Sequence, residues 1–434
     1  MNYDSSSLNA TDASAATTLL EIARRWGTPA YAYDLRGIRR QVDNLRRHLP
    51  AEVEVLYSLK SNASLGIAEV LAAGGVGADV ASAGELITAE EAGFAPERIF
   101  VAGPCKSPEA LSHLRSLPEA IISIDSASEL ELLAPENLAN RAVLRLRPDF
   151  ESSAVVTAGP DSRFGVPLDE LSACRDRLGA GGPAIVGFHV FAGSQVLEAE
   201  GVIRHLQGAL ELSLRATDIL GIAPEVFNLG GGFGVPYGPG QNELDLAEVG
   251  EALQGFVERA APARIVLELG RFLVAPSGWY LTTVVGHQHY QGRSAVIVDG
   301  GTHQRIDFCG LDLRHKADPP LALDASSSPL TPTDILGCLS LPDDILAESC
   351  QMPALQPGNV LAFANAGAYG LWAAATHFHG FPPPAEIAFD GEMMQVMREP
   401  RSGRYILDGQ NSILGGRGEI AECTQTRIEP ECTR

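Results

Sequence analysis

The chain has 434 residues, 45% of them apolar, and a formal net charge of −22. That length exceeds one average domain, and the apolar fraction suffices for a large core. The acidic balance argues against nucleic acid and anionic membrane surfaces as partners and favours solubility.

The first 18 residues are rich in Ser and Ala and carry neither a basic stretch nor a long apolar run, so no signal peptide is expected. No apolar run anywhere approaches the length of a membrane span. Ala30–Tyr33 reads as a strand that precedes the main body. Residues 1–35 are therefore expected to join a β domain formed later in the chain.

From residue 52 onward, short apolar runs alternate with amphipathic helical patterns. Eight runs read as strands: Val53–Leu59, Ala78–Ala81, Ile99–Ala102, Ala120–Ile124, Ala142–Leu146, Ile185–Phe191, Val226–Leu229 and Ile265–Leu269. Ser82 to Glu85 and Ser126 to Glu129 have the spacing of capping boxes. Ser107-Pro108 places a cap before a proline at the first helical position. Near-continuous apolar strands separated by helices imply a parallel sheet, and eight such units imply a (β/α)8 TIM barrel over 36–275. A doubly wound sheet is the alternative. Residues 276–408, with apolar runs between Gly/Pro-rich turns, are expected to form a β-rich C-terminal domain. Residues 409–434 read as a flexible tail.

The seven cysteines (105, 174, 309, 338, 350, 423, 432) are scattered and form no CxxC pair. Neither a metal site nor a disulfide framework is expected, and a cytoplasmic location is the simplest setting.

Barrel enzymes place their chemistry at the carboxyl ends of the strands. Those ends carry Lys60, Arg145 and Arg147, His189, Gly230-Gly231-Gly232, and Glu268 with Arg271. Each has an ordinary reading taken singly: a surface lysine, a core histidine, a salt-bridged glutamate, a tight turn. Together on one face they fit one chemistry. A lysine at the end of an apolar run is expected to be desolvated, with a lowered pKa suited to imine formation. Glycines with exposed N–H groups and an arginine fork suit a phosphate. A flat histidine and a carboxylate complete a pyridoxal phosphate site.

On these residues the chain resembles the fold type III pyridoxal phosphate decarboxylases, the ornithine and diaminopimelate decarboxylase superfamily with its alanine racemase-like fold. The motifs that carry the resemblance span nearly the whole chain: Tyr57 to Asn62, Gly77 to Glu85, Ser162 to Gly165, His189 to Gln195, Asn228 to Gly234, Glu268 to Arg271, Asp299 to Gly301, Cys338, and Ala366 to Gly370. The resemblance implies pyridoxal 5'-phosphate as cofactor, anchored on Lys60. His189 would stack on the pyridine ring and Glu268 would pair with its nitrogen. Ser194, Gly230, Gly231, Gly232, Gly270, Arg271 and Tyr369 would hold the phosphate, with Asp79 and Arg145 just behind. Cys338 would reach the neighbouring subunit's site and protonate Cα, which implies a head-to-tail homodimer. Glu268 favours decarboxylation over racemisation, because a carboxylate keeps the ring nitrogen protonated.

Departures from the pattern concern the substrate. Leu339 follows the cysteine where diaminopimelate decarboxylases have a glutamate. Asp343 and Asp344 come later than the aspartate with which ornithine decarboxylases bind a distal amine. Arg314 is the counterpart of an arginine used on a substrate carboxylate. The stretch Gly187 to Gln195 is similar to a branch serving siderophore and other secondary-metabolite pathways. The expected activity is therefore decarboxylation of an L-amino acid, a diamino acid, or an amino acid joined to citrate or a carrier. Diaminopimelate decarboxylation, an amino-acid racemase or epimerase, and a non-catalytic regulator are the alternatives.

Overall fold

A computed structural model describes residues 10–172, 182–290, 292–307 and 310–411. Cys174, Cys309, Cys423, Cys432 and residues 412–434 of the expected tail lie outside the described residues.

Strand β1 (Ala30–Asp34) precedes the barrel strands β2 (Val53–Ser58), β3 (Gly77–Val80), β4 (Ile99–Val101), β5 (Ile121–Ile124) and β6 (Arg141–Leu146). After the short β7 (Val156–Thr157) come β8 (Ala184–Val190), the short β9 (Gly193–Ser194), β10 (Val226–Gly231) and β11 (Arg264–Leu269). The parallel strands close in the order β10-β11-β2-β3-β4-β5-β6-β8, which excludes the doubly wound alternative. The amino-terminal part of the barrel is filled by Leu56, Phe100, Ile121, Val143, Val186, Val226 and Val266, one from each of seven strands. Each such side chain contributes about 1.5–3 kcal/mol on burial. The eighth strand presents Gly77, whose Cβ would stand 2.4 Å from Leu56 Cδ2, so a larger residue would collide with the plug. The plug leaves only the carboxyl ends of the strands open.

Local signals set the helices around the barrel. Ser82 Oγ accepts from Glu85 N–H and Ser126 Oγ from Glu129 N–H, each at 3.2 Å. The reciprocal bonds reach one residue further back than a standard capping box: Glu85 takes the Ala81 N–H at 2.7 Å and Glu129 the Asp125 N–H at 2.6 Å. Ser107 caps the helix Pro108–Ser116 through the Ala110 N–H at 3.2 Å.

The second layer is a nine-stranded sheet. Its long member β12 (Gly278–Tyr290) pairs antiparallel with β1, and β1 pairs in parallel with β18 (Ala385–Phe389). The sheet continues through β13 (Arg293–Val298), β15 (Thr331–Leu336) and β16 (Ile345–Met352). Among the described residues, no helix is long and apolar enough to cross a membrane.

Candidate active site

Lys60 sits in a single 3-10 turn, Leu59–Ser61, that closes β2. The turn is fastened from both sides. Tyr57 OH donates to the Asn62 carbonyl at 2.6 Å and Ser61 Oγ to the Ser58 carbonyl at 2.8 Å. Asn62 Nδ2 donates to the Gly367 carbonyl at 2.9 Å, and Tyr369 N–H to the Ser61 carbonyl at 2.8 Å. Leu59 is thereby buried, while Lys60, deep in the molecule, keeps 44% of its side chain open to a cavity. Its Nζ lies 3.8 Å from Asp79 Oδ2 and 5.2 Å from the Phe191 ring centre.

Burial does push the Lys60 amine down, as the sequence suggests, but the charges of Asp79, Tyr369 and Glu268 together outweigh it. The net shift is upward, which corrects the expectation of a lowered value. Lys60 is held as an ammonium until a group that replaces those charges enters.

His189, near the end of β8, and Glu268, near the end of β11, flank β10 in the barrel wall and are both buried. His189 Nδ1 hydrogen-bonds Ser123 Oγ at 2.8 Å, and its Nε2 faces Glu268 Oε1 at 3.4 Å. Asn228 Nδ2 donates to Glu268 Oε1 at 2.6 Å. Burial raises the Glu268 carboxyl, but His189, Lys60 and the Asn228 bond prevail and hold it well below the ordinary carboxylate range. Asp79 goes the other way: burial and the charge of Glu268 raise it. The two acids are thus shifted in opposite directions.

Beside Lys60 and Glu268 lies a recess of about 30 Å³, to which Ser194, Gly232, Gly270, Arg271 and Tyr369 contribute. Arg271 Nη1 donates to Tyr237 OH at 2.9 Å, and the guanidinium packs over the Tyr369 ring at 4.8 Å. Gly232 has φ +101°, and its Cβ would meet the Gly193 carbonyl at 2.8 Å. Gly230 and Gly231 are not brought to the recess. A Cβ there would strike the Val190 and Glu268 carbonyls at 2.6 and 2.0 Å, so these glycines serve the close approach of strands.

The open side is a cavity of about 430 Å³ shared by Lys60, Asp79, Arg145, Phe164, His189 and Glu268. Arg145 Nη1 pairs with Asp125 Oδ1 at 3.1 Å and its guanidinium lies 4.8 Å from the Phe164 ring. A primary amine, an ionised carboxylate and a small polar recess backed by an arginine are the donor set that pyridoxal 5'-phosphate requires, so the residues present fit it. Among the described residues, no cluster of three His, Cys, Asp or Glu could hold a metal ion.

Cys338, Arg314, Asp343 and Asp344 line neither the cavity nor the recess of their own chain. Cys338 is half-buried after β15. Its N–H donates to the Gly300 carbonyl at 2.9 Å. Burial, with Asp344 and Asp299 adding to it, pushes its thiol up to about 11. Asp344 is buried and accepts from Thr302 N–H, Thr302 Oγ1 and Leu339 N–H, each at 2.7 Å, so both carboxylate oxygens serve to fasten the Cys338 loop. Asp343 is exposed beside it. Arg314 is ion-paired with Glu348, which also takes His315.

Four site residues carry no role in the sequence reading: Ser123 behind His189, Asn228 behind Glu268, Asp125 behind Arg145, and Tyr237 beside Arg271. Asn228 had an available signal, because a polar residue inside the apolar run Val226–Leu229 must find a buried partner.

Residues 35–275 match the model of the pyridoxal binding domain of pyridoxal-dependent decarboxylases. The chain is 33% identical over 383 residues to the L-glutamyl-[BtrI acyl-carrier protein] decarboxylase of Niallia circulans, covering 84% of this chain and 90% of that one. It is 30% identical over 409 residues to the diaminopimelate decarboxylase of Methanothermobacter thermautotrophicus, covering 90% and 94%. The crystal structure of diaminopimelate decarboxylase from Helicobacter pylori complexed with L-lysine superposes with a TM-score of 0.81 at 25% identity, covering 90% of this chain and 98% of that one.

Proposed function

The chain belongs to the fold type III pyridoxal phosphate-dependent decarboxylases, and from that premise we propose that its substrate is an L-amino acid whose distal end is joined to a carrier or to citrate. The observation that carries this reading is that neither position expected to read a charged distal end is free to do so. Leu339 offers no charge, its N–H is tied to Asp344, and Arg314 is committed to Glu348, while about 430 Å³ remains open beside Lys60. A free diaminopimelate would need its distal ammonium and carboxylate matched inside the site. An amino acid joined through its distal end to a carrier has neither charge there, and one joined to citrate has no distal ammonium. The relative that acts on an L-glutamyl group carried by a protein supports the same reading.

When bound, pyridoxal phosphate would supply an electron-withdrawing ring, the chemistry that loss of CO2 from an amino acid requires. Lys60 supplies the amine that anchors the cofactor. Glu268 remains ionised in a dry setting and favours a proton on whichever ring nitrogen faces it. His189 and Phe191 bound the cavity with flat rings that keep water from the reacting carbon. Ser194, Gly232, Gly270, Arg271 and Tyr369 bind the phosphate. Cys338 keeps its proton at neutral pH, so its Sγ is equipped to deliver that proton to Cα. Its position outside its own chain's cavity is consistent with delivery to a partner's site in a homodimer.

Radiolabelled CO2 release from L-glutamate linked to a carrier protein, from an L-diamino acid joined to citrate through its distal amine, and from meso-diaminopimelate tests the proposal. A higher kcat/KM for either conjugate supports it. A higher value for diaminopimelate assigns the chain to lysine formation instead.

A further inference from the structure

Three of the 32 basic residues are lysines, and two of those, Lys60 and Lys106, stand at the carboxyl ends of barrel strands. The chemistry described above leaves Lys106 unused. It lies in the loop after β4 with a side chain only 2% exposed. A buried ammonium is costly unless its charge and its three donors are all met. Here the charge and two of the donors are met: Nζ donates to the Gly103 carbonyl at 2.7 Å and the Ser123 carbonyl at 2.6 Å, and is ion-paired with Glu129 Oε1 at 2.8 Å.

Both of its outward links end on residues that face the cofactor cavity. Ser123, whose carbonyl Lys106 grips, turns its hydroxyl to His189 Nδ1 at 2.8 Å. Glu129, whose other oxygen takes the Asp125 N–H at 2.6 Å, holds the residue that pairs with Arg145 at 3.1 Å. Ser123 and Asp125 flank the end of β5, so one ammonium pins that strand end on both sides. Lys106, Glu129, Asp125 and Arg145 form two cations and two anions.

We propose that Lys106 is a positioning residue that sets the ring orientation and tautomer of His189 through Ser123, and the placement of Arg145 through Glu129 and Asp125. A site held on rigid elements needs such a supporting layer, and a histidine's second nitrogen is defined by the bond its first one makes. The assignment rests on His189 and Arg145 facing the cavity, and it holds whichever substrate the enzyme takes.

The test is Lys106→Met, of similar length and uncharged, read in two ways. In cofactor-free protein, nitrogen-15 NMR of the histidines, with His189 assigned by its own substitution, reports the tautomer and titration midpoint. In the loaded enzyme, kcat and KM are measured for Lys106→Met, Ser123→Ala and the double variant. The expected result is a displaced His189 midpoint and a kcat at least about tenfold lower with KM nearly unchanged, with the double variant no worse than the poorer single one. An unmoved His189 midpoint, or losses that multiply in the double variant, overturns the proposal. If Lys106→Met does not fold, Ser123→Ala decides by the same NMR reading: a displaced midpoint supports the link and an unmoved one overturns it.

Discussion

Lys60 Nζ and Asp79 Oδ2 stand 3.8 Å apart in the barrel cavity, and burial of the amine, which favours its neutral form, is outweighed by Asp79 acting together with Tyr369 and Glu268. The lysine is thereby kept charged until the site is loaded. Asp79→Asn removes the largest of the charges that oppose burial, so the amine loses its proton at lower pH. Capture of pyridoxal phosphate by cofactor-free protein, which needs the neutral amine, is expected to reach its half-maximal rate at a lower pH in Asp79→Asn. A shift to higher pH would show that Asp79 does not hold the proton on Lys60.

Glu268 has a folded pKa below its ordinary value, so the stabilisation from its ionised form is present above the usual carboxylate range. That contribution is lost only as pH falls through the depressed value. The link to His189 is therefore expected to survive mild acid. Glu268→Gln should fold and bind cofactor yet release CO2 at least about tenfold more slowly, equivalent to about 1.4 kcal/mol or more of lost transition-state stabilisation. Unchanged turnover in Glu268→Gln would remove the carboxylate from its role.

Asn228 is fully buried and holds two groups at once, giving Nδ2–H to Glu268 and taking the Gly230 N–H at 3.0 Å. Asn228→Ala leaves both unmatched. Denaturant unfolding is expected to show a loss of about 1–3 kcal/mol. The Glu268 pKa should rise in the same variant, which the pH dependence of CO2 release reads.

The Cys338 thiol, raised to about 11 by burial and by the charges of Asp344 and Asp299, is expected to resist alkylation at neutral pH. Mass spectrometry of the Cys338 peptide after iodoacetamide treatment should show half-maximal modification near that pH, with the exposed Cys105 reacting earlier. Asp344→Asn, by removing one of the raising charges, should bring the Cys338 midpoint down. Cys338→Ala should retain cofactor while slowing turnover; equal turnover would exclude it as the proton donor.

The eight barrel strands were legible because each is buried on both faces and so reads as a continuous apolar run. Errors fall at the ends. Leu59 is apolar because it is buried in the turn, and Gly230-Gly231 extend β10 although glycine is a poor strand residue. Charged site residues such as Lys60, Glu268 and Arg271 stood out against apolar surroundings. Ser123 and Lys106 did not, since their partners come from strands distant in sequence and no local pattern marks them. The lowered pKa expected for Lys60 failed because the sequence shows the burial but not that Asp79, Tyr369 and Glu268 together outweigh it.

Borohydride reduction of the cofactor-loaded protein followed by peptide mass mapping tests the central claim most directly, because the chain offers only Lys60, Lys106 and Lys316 as lysine anchors. The pyridoxyl mass is predicted on the peptide that contains Lys60 and on neither of the others. A label on Lys106 or Lys316, or none at all on a protein that shows bound-cofactor absorbance, would contradict it.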